Sequence, residues 1–307
     1  MLRISISEAF PLPLPEGHKF PFRKYELTRQ QLEYEGVITK ANVFQPELIT
    51  DAVIELTHDP VWWKKAKAYQ LDKKEYRRIG FPNVPELISR SWSSVSGTVK
   101  AAEYALEDGA GMNLAGGTHH SYYDRGEGFC LLNDIAVAAN YLLDKGSVKK
   151  VLVVDLDVHQ GNGTAVLFQE DPRVYTFSVH CGDNYPFRKE KSDLDVEHVA
   201  FTEDARYLNE LSLHIPRLIE EFGPDIVFYQ AGVDILATDK LGKLNISRQG
   251  CRERDHLVIS EVRRHNLPLV VVMGGGYSDR LSTIVNAHCE TYKLVFELYE
   301  KSKFYTS

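Results

Sequence analysis

The spacing of apolar residues along this chain changes partway through. From 22 to 36, FRKYELTRQQLEYEG places them at helical intervals and closes on Gly36, which predicts an amphipathic helix. PELITDAVIELTHDPVWWKKA (46–66) predicts a second helical region. It is interrupted near Asp59-Pro60, because proline disfavours helix at the residue before it. RSWSSVSGTVKAAEYALEDGAG (90–111) predicts a helix that stops at Gly109 or Gly111. The first 90 residues thus read as helical and loop-rich.

Beyond that point short apolar runs alternate with amphipathic stretches. Strands are expected at MNLA (112–115), KVLVVDLDV (150–158), RVYTFSVH (173–180), DIVFYQAG (225–232) and LPLVVVMGGGY (267–277). Helices are expected at 130–146, 205–223, 247–266 and 279–302. The run VLVV is continuous rather than alternating, as in a strand covered on both faces. Strands alternating with helices imply an α/β chain with a mostly parallel sheet between helical layers, read here as a single three-layer domain over 1–307.

Composition narrows the class. The chain has 307 residues, 43% apolar and 26% charged, enough for a sizeable core. The formal net charge of −7 argues against nucleic acid as a direct ligand. It leaves room for a basic peptide, which a mildly acidic surface would attract. The four cysteines, Cys130, Cys181, Cys251 and Cys289, form no C-x-x-C pair and suggest free thiols in a reducing compartment. MLRISISEAFPLPLPEG is broken by prolines and lacks the apolar run of a secretory signal. No stretch approaches the roughly 18 apolar residues of a membrane span. A cytoplasmic protein is expected, or a nuclear one in a eukaryote.

Polar clusters then change the picture. GGTHH, DLDVH, SVHCGD, AGVD and GGGY each stand at the C-terminal end of an expected strand, where open α/β sheets place their ligand crevice. Asp155, Asp157 and His159 sit at i, i+2 and i+4, one face of a strand, with no Lys or Arg between Lys150 and Arg173. Two carboxylates without a local cation call for a metal, and mixed oxygen and nitrogen donors suit Zn, with Fe or Mn as alternatives. The plainer reading is a capped strand end. Asp234 is the candidate third ligand, or else a turn aspartate. The adjacent pair His119-His120 suggests acid/base work, with Asp155 and Asn162 as partners. Tyr277 follows three glycines without the Lys-Ser/Thr of a phosphate loop. Its hydroxyl could donate to a developing oxyanion, or it could simply be an amphipathic edge residue. Phe129 in GEGFC fits a core position as well as a site wall.

GGTHH, GFCLLND, DLDVHQGNG, AGVD and GGGY, in this order, resemble the zinc-dependent histone deacetylases and their bacterial relatives, the acetoin-utilisation proteins and acetylpolyamine amidohydrolases. HQGNG and DILATDKLGKLNIS are most similar to class IV deacetylases. The resemblance implies the arginase/deacetylase fold, with a parallel sheet of about eight strands. It implies Zn (or Fe) on Asp157, His159 and Asp234. His120 would be base and then acid, and His119 an electrostatic partner. Asp155 would orient His119, Asn162 would orient His120, and Tyr277 would bind the substrate carbonyl. Gly128, Phe129 and Tyr185 would line a tunnel for an acyl-lysine stem. A structural potassium would sit near Asp155, Ser178 and the carbonyls of Asp157 and His159. Asn162 stands where many members carry Asp, Gln160 where they carry a second His, and three glycines precede Tyr277 where many have four.

The implied activity is zinc-dependent removal of acyl groups from lysine side chains. Deacetylation of polyamines or other small amides is the nearest alternative, and a non-enzymatic acyl-lysine binder is an alternative of another class. A manganese ureohydrolase of the same fold would need more His and Asp ligands than DLDVHQGNG supplies.

Overall fold

In a computed structural model of the chain, residues 1–7 and 12–300 are described. The strands are β1 (Arg3–Ser5), β2 (Val43–Phe44), β3 (Ala110–Asn113), β4 (Val151–Asp155), β5 (Val174–Cys181), β6 (Leu194–His198), β7 (Ile226–Gln230) and β8 (Leu269–Val272). The helices are α1 (Lys24–Tyr34), α2 (Asp51–Glu55), α3 (Pro60–Lys67), α4 (Lys73–Ile79), α5 (Pro85–Asp108), α6 (Asp134–Asp144), α7 (Asn162–Phe168), α8 (Asp204–Phe222), α9 (Arg248–Arg264) and α10 (Leu281–Tyr299). The strands form one sheet in the order β2-β1-β3-β8-β7-β4-β5-β6. Every pairing is parallel, so the expected sheet is present and wholly parallel among the described residues.

Period-two alternation divides each strand between two cores. In β4, Leu152 and Val154 join a cluster with α8, α9 and α10, whereas Val151 and Val153 join one with α5 and α6. This is why VLVV carries no polar position. The result is three layers, with the sheet in the middle.

Several boundaries differ from the sequence expectation for physical reasons. β1 and β2 lie in the stretch read as helical and loop-rich; they are three and two residues long, too short to show a period. β6 is half-exposed, and its polar residues hid it. Of the two glycines expected to stop the preceding helix, Gly109 caps α5 and Gly111 lies in β3, where a Cβ would meet the Ala101 carbonyl of α5 at 2.0 Å. α5 begins at Pro85, whose missing N–H costs nothing in the first turn. β4 ends at Asp155, so Asp157 and His159 lie on the loop beyond it. The last helix ends at Tyr299; the two final residues of the expected span, 301 and 302, lie outside the described residues.

All four cysteines are buried and free. Among the described residues no helix is long and apolar enough to cross a membrane.

Candidate metal centre and active site

β4, β7 and β8 are neighbours, with β3 next to β8, so their C-terminal loops meet over the middle of the sheet. The loop after β4 folds back on its own aspartates. Asp155 Oδ1 accepts from the Asp157 N–H at 3.2 Å, and Asp157 Oδ1 accepts from the His159 N–H at 3.0 Å. Aspartates that cap the backbone two residues on make tight turns. These turns, rather than strand alternation, aim the three side chains, and they aim them apart. Asp155 turns to His119, while Asp157 and His159 turn to Asp234.

Asp157, His159 and Asp234 are buried, and each offers a ligand atom within 4.8 Å of the others. His159 Nδ1 lies 3.0 Å from Asp157 Oδ1 and 3.1 Å from Asp234 Oδ2. The Asp234 Oδ1 accepts from the Val158 N–H at 3.0 Å, which locks the β7 loop to the β4 loop. Burial and the neighbouring Asp157 push the Asp234 carboxyl up to about 7. Burial opposes a charge on His159, yet Asp157 and Asp234 prevail and raise it to about 10. Two dry carboxylates holding a proton between themselves and an imidazole fit a divalent cation of the Zn or Fe kind. The space is kept by Gly275. Its N–H donates to Asp157 Oδ2 at 2.8 Å, and a Cβ there would lie 2.0 Å from Asp234 Oδ2. Glycine at 275 is therefore a requirement of the carboxylate site.

The histidine pair arrives on the loop after β3, and the two rings are placed in opposite states. His119 Nδ1 is 2.7 Å from Asp155 Oδ2. Burial pulls its pKa down, but Asp155 and Asp157 outweigh this and raise it to about 9. His120 Nδ1 is 2.5 Å from Asn162 Oδ1. Burial, then charge on His119 and His159, holds His120 well below the usual imidazole range. Asn162 Nδ2 donates to the Tyr122 hydroxyl at 2.8 Å and Glu127 at 3.3 Å. Its oxygen must then face His120, which fixes the His120 proton on Nδ1 and leaves Nε2 unprotonated. Glycine at 163 lets α7 close on this loop, since a Cβ would meet the Ser121 carbonyl at 2.3 Å.

Tyr277 is held from two sides. Its N–H donates to Asp239 Oδ2 at 2.6 Å, and Lys24 Nζ donates to the Gly274 carbonyl at 2.8 Å. Its ring lies 6.4 Å from that of His159 and 6.0 Å from that of Phe129. Gly128 (φ +53) and Phe129 (φ +67) form the tip of a tight turn between Glu127 and Cys130. Two positive φ values are what a two-residue hairpin needs, and they turn the Phe129 ring towards Tyr277. Tyr185 closes the other wall, edge-on to His120 at 5.0 Å, with its hydroxyl on Glu127. Asp155 and Ser178 are register partners on β4 and β5.

The structure thus brings all the sequence candidates to one sheet edge. It also adds residues the sequence did not single out. The stretch around Asp157 has no cation of its own, but Lys24 enters from α1, fully buried, with a pKa that burial lowers to about 8 against the pull of Asp234 and Asp157. Arg254 of α9 pairs with Asp255 at 2.7 Å in the core. Its Nη1 donates to the Gly232 carbonyl at 2.5 Å and the Leu156 carbonyl at 3.3 Å, tying together the two strand ends that carry the candidate metal ligands. Gln160 clasps the 190–195 segment through the Glu190 carbonyl at 2.8 Å and Asp195 at 2.9 Å. The ERD in α9 has no spacing signal, and Lys24 reads as an ordinary helix lysine.

Comparison with known proteins gives a consistent result. The family model of the histone deacetylase domain matches residues 18–292. An uncharacterized protein of Picosynechococcus sp. is 41% identical over 287 residues, 94% of this chain and 96% of the relative. Histone deacetylase 2 of Arabidopsis thaliana is 36% identical over 194 residues, 62% of this chain and 50% of its own length. An acetoin utilization protein AcuC of Staphylococcus aureus is 27% identical, covering 85% of this chain and 72% of its own. Among solved structures, an HDAC homolog from Aquifex aeolicus superposes with TM-score 0.82 at 20% identity, over 96% of this chain and 84% of that one. The HD domain of HDA15 superposes with TM-score 0.80 at 20% identity, over 97% and 89%.

Proposed function

The chain belongs to the histone deacetylase family, and from that premise we propose that it is a zinc-dependent amidohydrolase that removes acyl groups from lysine side chains. The observation that carries the reading is the buried Asp157-His159-Asp234 set beside a neutral His120 and Tyr277. Bound there, Zn (or Fe) would supply Lewis-acid polarisation of the acyl carbonyl and acidify a water. His120 takes the proton of the attacking water at Nε2, because Nδ1–H is committed to Asn162. The Tyr277 hydroxyl donates to the carbonyl oxygen as negative charge develops on it. His119, charged against Asp155, stays an electrostatic partner. His120 then hands its proton to the departing lysine amine. Phe129 and Tyr185, with Gly128 between them, flank the alkyl stem. Potassium beside Asp155 and Ser178 is proposed as a structural ion. The same site chemistry would serve a small acylated amine. The intact histidines and tyrosine favour an enzyme over an acyl-lysine binding module. The domain is proposed to be one catalytic unit, in a cytoplasmic protein.

The direct test is hydrolysis of acyl-lysine peptides and acetylated polyamines by the protein as isolated, after chelation and after Zn restoration. Turnover of the lysine peptides that chelation abolishes and Zn restores is expected. Turnover indifferent to chelation, or none with Zn bound, sinks the reading.

Asn162→Asp checks the assignment of the base. A carboxylate in place of the amide stabilises the imidazolium and raises the His120 pKa. The base form is then lost at higher pH, so the acid limb of kcat/KM should move to higher pH. An unmoved limb would count against His120 as the base.

A further inference from the structure

The pocket that leads to His120, His159 and Tyr277 opens on a rim of opposite sign to the whole chain. It encloses about 460 Å³, and its outer wall carries Lys19, Arg77, Arg78 and Lys243 against a single carboxylate, Asp183. The formal net charge of the chain is −7, so this rim is a local reversal and not a sample of the surface. Lys19, Arg77 and Lys243 are exposed and Arg78 half-buried. Among the described residues none of the four forms an ion pair; Lys243 Nζ donates to the Asp183 carbonyl at 2.7 Å, which consumes no charge.

The backbone that carries the arginines is fixed relative to the channel. The Arg78 carbonyl accepts from the Gly128 N–H at 3.1 Å, and the Ile79 carbonyl from the Phe129 N–H at 2.7 Å. The last turn of α4 is thereby pinned to the hairpin that walls the tunnel. Phe187, 88% exposed, adds an apolar seat on the same pocket wall. An acylated amine enters acyl end first, so its carrier stays at this rim. Arginine forks bind carboxylates in pairs, and unpaired cations repel a polycation.

We infer that the rim selects acyl-lysines embedded in acidic peptide segments and disfavours polyamines and basic tails. The inference rests on the amidohydrolase reading above and names the substrate class for that site. It reverses the attraction for a basic peptide that net charge alone suggests.

The test measures kcat/KM of the Zn-loaded protein on three acetyl-lysine peptides, alike except for acidic, neutral or basic flanks. An acetylated polyamine and a small acetylated amine bearing a carboxylate complete the set. The acidic peptide should exceed the basic one about tenfold at roughly 20 mM salt, chiefly through KM, and the ratio should shrink towards unity at roughly 200 mM. In an Arg77→Glu/Lys243→Glu variant the order should invert. The Kd of a labelled acidic peptide, read by anisotropy, should weaken with salt in parallel. Equal or basic-favoured turnover overturns the rim inference and leaves the amidohydrolase standing. A small anionic amine outperforming the peptides overturns the peptide as carrier. Turnover of the polyamine alone overturns both the inference and the lysine reading. No turnover of anything overturns the amidohydrolase itself.

Discussion

His120→Ala is expected to lower kcat by roughly 10²–10⁴, the range for a positioned acid/base group, without changing the metal content of the protein. The two halves of that statement come from different contacts. His120 makes no bond to Asp157, His159 or Asp234; its Nδ1 is engaged by Asn162, 2.5 Å away. Its ring lies 5.9 Å from that of His159, close enough to serve a water at a metal that would be held there and too far to hold that ligand in place. The loss should therefore fall on the proton transfers. Alanine also opens space beside Tyr185, so His120→Asn belongs in the same series. Parallel losses in both, with Zn retained by elemental analysis, are the expected result. A variant that keeps its rate would transfer the base to His119. That ring is poorly suited, because a pKa of about 9 keeps it protonated near neutral pH. A variant that loses its Zn would show that His120 supports the metal site instead.

What the sequence made legible, and what it did not, follows from how each feature is held. The strands with both faces buried were readable because nothing polar interrupts them, as in β4 and β7. β1, β2 and β6 were not, being short or half-exposed and held by pairing to neighbours rather than by their own pattern. The polar clusters were readable because side chains of that kind at strand ends have few structural uses. The reason given for the Asp155-Asp157-His159 spacing was incomplete. A strand face would have aimed all three residues alike, whereas the Asp-capped turns send Asp155 to His119 and leave Asp157 and His159 to Asp234. The supports were invisible because they are tertiary. Lys24 and Arg254 act on backbone carbonyls of loops distant in sequence, 250 and 22 residues away for Gly274 and Gly232. No local spacing encodes a contact with a carbonyl. The sign of the rim was likewise hidden, since Lys19, the arginines of α4 and Lys243 meet only in the folded chain.

Tyr277→Phe should cost on the order of 10²–10³ in kcat, the loss seen when one oxyanion donor is removed. The substitution is unusually clean here, because nothing that positions the residue passes through its hydroxyl. The loop is held by the Tyr277 N–H on Asp239, by Lys24 on the Gly274 carbonyl and by the Gly275 N–H on Asp157. The ring itself packs edge-on against Phe20 and tilted on Phe129, contacts a phenylalanine keeps. Burial and then the Asp157 and Asp234 carboxylates keep the phenol well above its ordinary pKa, so the group is a protonated donor across the working pH range. A donor that acts on charge formed only during reaction affects kcat, whereas one that binds the ground-state carbonyl equally well affects KM. The expected pattern is accordingly a fall in kcat with KM within a few-fold, unchanged Zn content and an unchanged melting temperature. A near-normal kcat would remove Tyr277 from the chemistry and make it a wall residue of the tunnel. A rise in KM alone would make it a substrate-positioning group, and the stabilisation of the oxyanion would then fall to the metal site.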